Sequence, residues 1–231
     1  MARRIKAALS RRASREKAEI LSRFFKTGKG QYGEGDRFLG VTVPEQRRIA
    51  RKYPELSLEG LDTLLASRIH EHRLVALLIL IEQYGKADER AKGNLVSFYL
   101  DRTGCMNNWD LVDLSAEKIL GDYLYGRDKS ILYRLAASDN LWERRIAIMA
   151  TFAFIRKNRF ADTFALAGLL LKDRHDLIHK AVGWMLREIG KRDRDAEEEF
   201  LRKHYRAMPK TMLRSAVEKF DTETKTFYLR K

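Results

Sequence analysis

The sequence predicts an all-α fold in which pairs of helices stack into a curved superhelix. Apolar residues recur every three or four positions along almost the whole chain, which is the spacing of one helix face. No segment alternates apolar and polar residues for long, so no strand is predicted. The 231 residues include only three prolines, and 45% of them are hydrophobic, which suits a helical domain with a sizeable core.

The apolar periodicity divides into twelve helices joined by short turns. They are predicted at about 14–26, 44–52, 57–66, 70–84, 88–101, 110–124, 128–136, 140–156, 160–171, 175–190, 194–206 and 210–219. Pro44 fits the first turn of a helix, where a missing N–H costs nothing. Ser57 and Asn140 are expected to cap the N-termini of their helices.

Successive helical pairs span about 35–40 residues, the length of HEAT or armadillo repeats. The pairs share no sequence signature, so the prediction of HEAT-like helical-pair repeats rests on helix spacing alone. Such a stack curves and presents a concave face that can hold an extended ligand such as a duplex. We therefore expect one all-helical domain over residues 1–231, in which the basic residues 1–13 could form a mobile N-terminus.

The charge of the chain points to a polyanionic partner. Its 46 basic and 32 acidic residues give a net charge of +14. Nucleic acid is the first candidate partner and an acidic membrane surface the second, while a charge that serves solubility alone is the third. Residues 74–81 form the longest apolar run, which is too short to span a bilayer, and the start lacks the apolar core of a signal peptide. A cytoplasmic protein is therefore expected. A monomer is favoured because the concave groove must close on DNA, although the sequence leaves the oligomeric state open.

The cysteine and histidine pattern predicts neither a disulfide nor a metal site. Cys105 is the single cysteine, and no Cys/His cluster has zinc spacing. The one long irregular stretch, residues 27–43, carries five glycines. It lacks the GxxxxGK[ST] pattern of a phosphate-binding loop. It could be mobile, order on a ligand, or merely link two helices.

Three segments carry residues that could do chemistry. The first reads NNWDLVD, and a helix that begins near Trp109 or Asp110 places Trp109 and Asp113 on one face. An indole face attracts positive charge, and a carboxylate in a low-dielectric site stabilises it further. The alternative to a functional site is that Trp109 packs in the core and Asp110 or Asp113 caps a helix.

The second segment, SDNLWERR, opens a helix with Trp142, Arg144 and Arg145. Arg145 could clamp a phosphate or pair with Asp113, although two arginines alone are more often part of a solvated face.

The third segment places Lys180, Trp184, Arg187 and Lys191 at i, i+4, i+7 and i+11 of one helix. Cations that alternate with an aromatic ring are expected along a nucleic-acid backbone. The alternative is a core Trp184 with cations that extend from it to solvent. Arg47 and Arg48 form a further basic cluster.

Together these segments resemble the AlkD-like DNA alkylation repair family over roughly residues 15–220. The resemblance is carried, in order and at the family's spacing, by FFKTGKGQYGEGDRFLGVTVPEQRRIA, NNWDLVDLSA, SDNLWERRIAIMATF and HKAVGWMLREIGK. It implies a HEAT-like superhelix that grips duplex DNA and removes N3-methyladenine and N7-methylguanine without metal or organic cofactor.

By motif position, the resemblance implies that Trp109, Asp113, Arg145 and Trp184 form the catalytic cleft, and that Tyr32 lies near it. DNA contacts are expected from Tyr32, Arg47, Arg48, Arg144, Lys180, Arg187 and Lys191.

The resemblance also implies that the protein grips the DNA backbone, because a helical solenoid offers no obvious pocket for a flipped base. Selectivity would then come partly from the lability of the lesion itself. Two alternatives remain: a non-catalytic HEAT-repeat protein that binds DNA or protein partners, and a binder of distorted DNA that lacks excision activity.

Overall fold

The computed structural model describes residues 1–230, and it confirms the all-α class. In chain order the helices are α1 (Ala2–Ser10), α2 (Arg15–Phe24), α3 (Val43–Ala50), α4 (Leu58–Leu65), α5 (His70–Lys86), α6 (Glu89–Leu100), α7 (Trp109–Ser115), α8 (Asp122–Leu124), α9 (Ser130–Ala136), α10 (Leu141–Ala150), α11 (Phe152–Ile155), α12 (Ala161–Leu170), α13 (Asp176–Gly190), α14 (Arg194–His204), α15 (Lys210–Ala216) and α16 (Thr222–Leu229). Within residues 1–230, β-type pairing is limited to one isolated bridge between Arg37 and Ile69. Over the same residues, no helix combines the length and apolar character that a bilayer span requires.

The predicted helix-start signals are confirmed. Ser57 Oγ accepts a hydrogen bond from the Gly60 amide at 3.2 Å, and Asn140 Oδ1 accepts one from the Trp142 amide at 2.9 Å. Pro44 lies in the first turn of α3. These caps satisfy amide groups that a helix N-terminus leaves without intrahelical partners.

One long predicted helix, 110–124, is divided by a π-helical turn. α7 ends at Ser115, and the Gly121 amide then bonds to the Ala116 carbonyl, five residues back, before α8 begins. A Cβ at position 121 would lie 2.1 Å from the Ala150 carbonyl oxygen. The turn therefore depends on a glycine that lets it approach α10.

The predicted helix 140–156 is divided at Thr151, where α10 ends and α11 begins. The Thr151 amide bonds to the Ile148 carbonyl at 3.2 Å, a tighter i→i−3 bond, and the Thr151 hydroxyl donates to the same carbonyl at 2.7 Å. A β-branched hydroxyl side chain that bonds back to its own turn commonly bends a helix.

Two helices were not predicted, α1 and α16. α1 buries Ile5 and Leu9 completely and Ala8 almost so, a spacing of i, i+3 and i+4 that marks a helix face. Residues 1–13 therefore do not form a mobile arm, and the expectation that they could was wrong. The basic residues around this stripe concealed it. At the other end, α16 buries Tyr228.

The chain folds as two compact units, residues 1–115 and the residues from Ala116 onward. In the first unit, α5 is central and packs against α3, α4, α6 and α7. In the second unit, α13 is central and packs against α10, α12, α14 and α15. That all 231 residues form one functional domain stays a prediction.

The second unit contains a buried acid in α14. Glu197 is 1% exposed, and its Oε1 has no hydrogen-bond partner among the described residues. It packs so closely on Gly190 that a Cβ there would lie 1.6 Å from Glu197 Oε2. Burial raises the pKa of Glu197 from 4.5 to about 8. The folded protein therefore holds this carboxyl in its protonated form at neutral pH.

The Glu197→Gln variant should lose a pH dependence of stability that the parent protein shows. A carboxyl with a raised folded pKa stabilises the fold below its unfolded value, and this contribution disappears as the pH rises through the folded value. Relative to the variant, the free energy of unfolding of the parent should fall by about 1.4 kcal/mol per pH unit between the two pKa values. Urea unfolding at pH 6, 7 and 8 measures this slope.

The control is Glu199→Gln, which removes an exposed charge from the same helix. Its stability should follow that of the parent across the pH range. Parallel profiles for parent and Glu197→Gln would show that Glu197 is ionised in the folded protein.

Candidate functional site

The start of α7 is fixed by the side chains around it. Asn108 Oδ1 accepts from the Trp109 amide at 2.9 Å, and Asp110 Oδ1 accepts from the Leu111 amide at 2.9 Å. α7 therefore begins at Trp109, within one residue of the predicted start at 110, and Asp113 follows one turn later on the same face. Both Trp109 and Asp113 are half-buried, so each keeps surface that a ligand can reach.

Asp113 lies within electrostatic range of a buried phenol. Burial raises the pKa of Tyr99, and the charge of Asp113 raises it further. The Tyr99 hydroxyl is 3.0 Å from Ser115 Oγ, which holds the phenol beneath α7.

Trp109 belongs to an aromatic cluster that joins four parts of the first unit. Its ring centroid lies 5.3 Å from that of Phe25 and 6.0 Å from that of Phe24. Phe25 stacks on Phe38 with an interplanar angle of 7°, and Phe38 stacks on His70 at 4.6 Å. The rings connect α7 with the end of α2, the glycine-rich segment and the start of α5.

His70 is an ion-pairing residue that the sequence analysis did not identify. It is 2% exposed, and its Nε2 lies 2.8 Å from Asp110 Oδ2 while its Nδ1 lies 3.4 Å from Asp36 Oδ2. Burial opposes the charged imidazole, but hydrogen bonds to Asp110 and Asp36 outweigh that effect and raise the pKa of His70 to about 9. His70 is therefore a cation between two carboxylates at neutral pH.

Asp36 extends this network to two more side chains. Arg73 Nη2 donates to Asp36 Oδ1 at 2.7 Å and to Asn107 Oδ1 at 2.9 Å. Asn107 Nδ2 also donates to Asp36 Oδ1 at 2.7 Å. Burial opposes ionisation of Asp36, but hydrogen bonds to His70, Asn107 and Arg73 and the charge of Arg73 lower its pKa. The network ties the glycine-rich segment to α5 and to the residues before α7.

A second buried carboxylate holds the end of the same segment. Glu71 is fully buried and accepts hydrogen bonds from the amides of Leu39, Gly40 and Val41 at 2.8–3.2 Å. Residues 36–41 are thus bound to α5 at both ends. The only sequence signal was HEHR, four polar residues at the head of an otherwise apolar helix.

In the second unit, Arg145 and Arg144 bind the segment before α13. Arg145 is 4% exposed, and its Nη1 donates to the Leu177 carbonyl. Arg144 Nε pairs with Asp173 Oδ2 at 2.6 Å, and its Nη1 donates to the carbonyls of Ser138 and Asp139. Contact with a phosphate requires an exposed guanidinium. Because Arg145 is buried, we expect it to hold neighbouring groups in position instead.

Along α13, Trp184 is half-buried and packs near Phe152 with ring centroids 6.1 Å apart. Its Nε1 donates to Glu188 Oε1 at 3.0 Å, and Lys191 Nζ lies 2.6 Å from the same oxygen.

The other cations of this helix also have acidic partners. Lys180 Nζ lies 2.7 Å from Asp176 Oδ2, and Arg187 pairs with Glu218. This face is therefore less basic than its sequence suggests, although exposed pairs are weak and can exchange for a phosphate.

The remaining predicted DNA contacts lie in the first unit. Tyr32 is half-buried in the glycine-rich segment. Arg48 is exposed and Arg47 half-buried at the end of α3, and neither forms an ion pair with residues 1–230. Their charge is available to an external anion.

Beside the aromatic cluster lies an apolar cavity of about 250 Å³. Its lining includes Phe25, Phe38, His70 and Asp110. The sequence analysis expected no such pocket, because only contacts between distant segments create it.

Cys105 lies in the tight turn before α7 and is half-buried. Burial raises the pKa of its thiol. Among residues 1–230, no three His, Cys, Asp or Glu side chains are grouped so that they could hold a metal ion.

Residues 5–220 match a family model described as DNA alkylation repair enzyme. This match agrees with the resemblance that the four sequence motifs carry. No curated protein matches the chain.

Several solved structures share the fold, among them the following three. A predicted DNA alkylation repair enzyme from Enterococcus faecalis has a TM-score of 0.70 at 17% identity and covers 91% of this chain and 98% of its own. AlkD2 from Streptococcus mutans has a TM-score of 0.54 at 18% identity, with 92% and 97% covered. The smu.31 protein of Streptococcus mutans UA159 has a TM-score of 0.55 at 18% identity, with 78% and 92% covered. At these identities the likeness shows the fold alone.

The Asp110→Asn variant should lower the pKa of His70. Asp110 supplies the shorter of the two hydrogen bonds that favour the imidazolium, so the loss of its charge leaves burial less opposed. The parent should titrate near pH 9, and the variant at least about one unit lower. NMR of the imidazole carbon and nitrogen shifts follows both titrations.

The matched control is Asp113→Asn, which removes a carboxylate from the same helix without touching His70. Its His70 titration should stay near that of the parent. A parent midpoint near 6.5 would contradict the ion-paired description of His70.

Proposed function

We propose that this chain, which belongs to the DNA alkylation repair enzyme family, is a glycosylase that hydrolyses the N-glycosidic bond of N3-methyladenine and N7-methylguanine in duplex DNA. The observation that carries the proposal is the pair Trp109 and Asp113. An indole and a carboxylate lie one turn apart on α7, both half-buried, and Asp110 between them pairs with the buried His70.

The chemistry of the substrate explains why so small a set of groups suffices. A purine alkylated at N3 or N7 carries a positive charge, and its base leaves as a neutral molecule. Little acid catalysis is needed for such a leaving group. Positive charge then accumulates on the deoxyribose, as in other glycoside hydrolyses with an oxocarbenium-like transition state.

Asp113 is assigned to this transition state. Its carboxylate stabilises the charge on the sugar and positions the attacking water. Trp109 offers a ring face to the same cation and holds the sugar. No lysine nucleophile is required, so the proposed reaction includes no strand-cleaving lyase step.

The second unit is assigned a supporting role in holding the DNA strand. Trp184 presents a half-buried ring that can pack against sugar and backbone, and Arg145 positions neighbouring groups from its buried place in α10. Arg144, Lys180, Arg187 and Lys191 would contact phosphates by exchanging their present acidic partners. We further propose that the protein acts as a cytoplasmic monomer without metal or organic cofactor.

In the first unit, Tyr32, Arg47 and Arg48 are the proposed DNA contacts. The two arginines lack acidic partners among residues 1–230, so contact with phosphates breaks no ion pair. Each phosphate neutralised releases condensed counterions, which makes binding dependent on salt. The net charge of +14 supports a polyanionic ligand.

The Asp113→Asn variant should lose excision and keep most of its DNA affinity. The amide matches the carboxylate in shape but cannot stabilise a cationic sugar by charge, so single-turnover excision should fall by at least about 100-fold. The assay incubates purified protein with methylated duplex DNA and measures released N7-methylguanine and N3-methyladenine.

Asp101→Asn, an exposed carboxylate of the first unit, is the matched control and should excise at the parental rate. If the parent protein binds DNA but releases no base, the chain is a binder and the enzymatic proposal fails. Parental rates from Asp113→Asn would instead remove only Asp113 from the mechanism.

The double variant Arg47→Gln/Arg48→Gln should bind duplex DNA with a weaker salt dependence. Loss of two phosphate contacts should reduce the slope of log K against log salt by up to about 1.8. Fluorescence anisotropy at several salt concentrations gives this slope.

The charge-matched control is Arg202→Gln/Lys203→Gln. These two exposed cations already pair with Glu198 and Glu199 on their own helix. The control should retain the parental slope. Equal slopes for all three proteins would place the DNA away from α3.

A further inference from the structure

The second unit carries a basic turn directly after α11, outside the set of predicted DNA contacts. This basic turn is residues 156–159, which read RKNR, and all four side chains are exposed. Residues 144–161 contain no acidic residue, so no acid adjoins the turn in the sequence. Three cations are thus concentrated in four residues and directed to solvent, which is typical of a surface that meets a polyanion.

Hydrogen bonds of the backbone hold the basic turn in one conformation. Asn158 has a φ of 55°, in the left-handed region that asparagine adopts more readily than most residues. The Arg159 amide bonds to the Phe154 carbonyl at 3.0 Å, and the Asn158 amide bonds to the Ile155 carbonyl at 3.0 Å. These two bonds form the Schellman motif, which closes the end of a helix. The cations therefore project from a turn that is ordered before any ligand binds.

Phe152 connects the basic turn with Trp184. The ring centroids of Phe152 and Trp184 lie 6.1 Å apart, and the guanidinium carbon of Arg156 lies 4.7 Å from the Phe152 ring centroid. Trp184, Phe152 and Arg156 therefore form a row. Each strand of a duplex carries one negative charge per ~3.4 Å of helix axis. A strand that packs on Trp184 and runs along this row brings phosphates to Arg156.

Glu117 holds the Arg156 side chain in place. Arg156 Nε lies 2.5 Å from Glu117 Oε1, and the guanidinium lies over the Phe152 ring. The Arg156 side chain is nevertheless 57% exposed, whereas that of Glu117 is 14% exposed. The N–H groups on the Nη atoms are the further donors of this guanidinium, and their spacing matches two oxygens of a phosphate. An arginine that is supported on two sides loses little side-chain freedom when it binds one.

The other two cations of the basic turn have no acidic partner. Lys157 Nζ lies 3.7 Å from the Tyr125 ring centroid, and neither Lys157 nor Arg159 forms an ion pair with any described residue. Asp162, the next acid along the chain, accepts a hydrogen bond from the Tyr133 hydroxyl at 3.1 Å. Contact between these two cations and phosphates therefore breaks no ion pair.

We propose that the basic turn is a further phosphate-binding contact that holds the DNA strand beside Trp184, and this inference rests on the proposed function. Arg156 binds one phosphate through its Nη atoms while Glu117 keeps it in place, and Lys157 and Arg159 neutralise neighbouring phosphates of the same strand. Such a contact reads the charge of the backbone and not the base, so it holds damaged and undamaged DNA alike.

The triple variant Arg156→Gln/Lys157→Gln/Arg159→Gln tests this contact. Loss of three phosphate contacts should reduce the slope of log K against log salt by at least about 1 and up to about 2.7. Fluorescence anisotropy with an undamaged duplex at several salt concentrations measures the slope, so no release of base disturbs the titration.

The charge-matched control is Arg134→Gln/Arg202→Gln/Lys203→Gln. It removes three exposed cations from other parts of the second unit, and its slope should stay near that of the parent. Equal slopes for the two triple variants would show that net charge alone governs binding, which would overturn the proposal.

The Arg156→Lys variant tests the two-point contact with phosphate. Lysine keeps the charge and loses the planar fork of donors, so the salt slope should stay parental while the affinity for the duplex falls at least about threefold. Parental affinity in this variant would overturn the assignment of Arg156 as a two-point phosphate contact.

The basic turn and the glycosylase fail separately. A reduced slope in the triple variant, without release of bases from methylated DNA by the parent, would refute the glycosylase and keep the contact. Release of bases by the parent, with a parental slope in the triple variant, would refute the contact and keep the glycosylase.

Discussion

The first unit depends on one buried cation between two carboxylates. His70 occupies the head of α5 and reaches Asp110 on α7 with one ring nitrogen and Asp36 with the other. An unpaired charge at 2% exposure would be costly, so the buried His70 imidazolium depends on both carboxylates. The direction in which α7 leaves the preceding turn is set by this pairing.

The His70 ion pairs affect the proposed chemistry through the helix that carries Trp109 and Asp113. Asp110 is held by His70, so the helix that begins beside it presents Trp109 and Asp113 in a fixed direction. The same histidine forms one end of the ring stack in the cavity wall. Catalytic groups work best when their supports leave them little freedom to turn. Here a single residue supports both the carboxylate face and the pocket.

Sequence patterns predicted most helices because helix periodicity is local. Neighbouring residues in the sequence were enough to predict the caps at Ser57 and Asn140 and the approximate start of α7. The tie between His70 and Asp36 spans 34 residues and has no local signal, and the cavity exists only through such ties. α1 was missed for the opposite reason, since its short apolar stripe was present but obscured by basic residues.

The state of Cys105 bears on how such a protein would survive where it works. Methylating agents that damage DNA also attack thiolates, which are the reactive form of cysteine. The chain has a single cysteine, and partial burial raises the pKa of its thiol. The raised pKa disfavours the thiolate, which is the form that such a reagent attacks. Cys105 should therefore react more slowly with such a reagent than an exposed cysteine of ordinary pKa would.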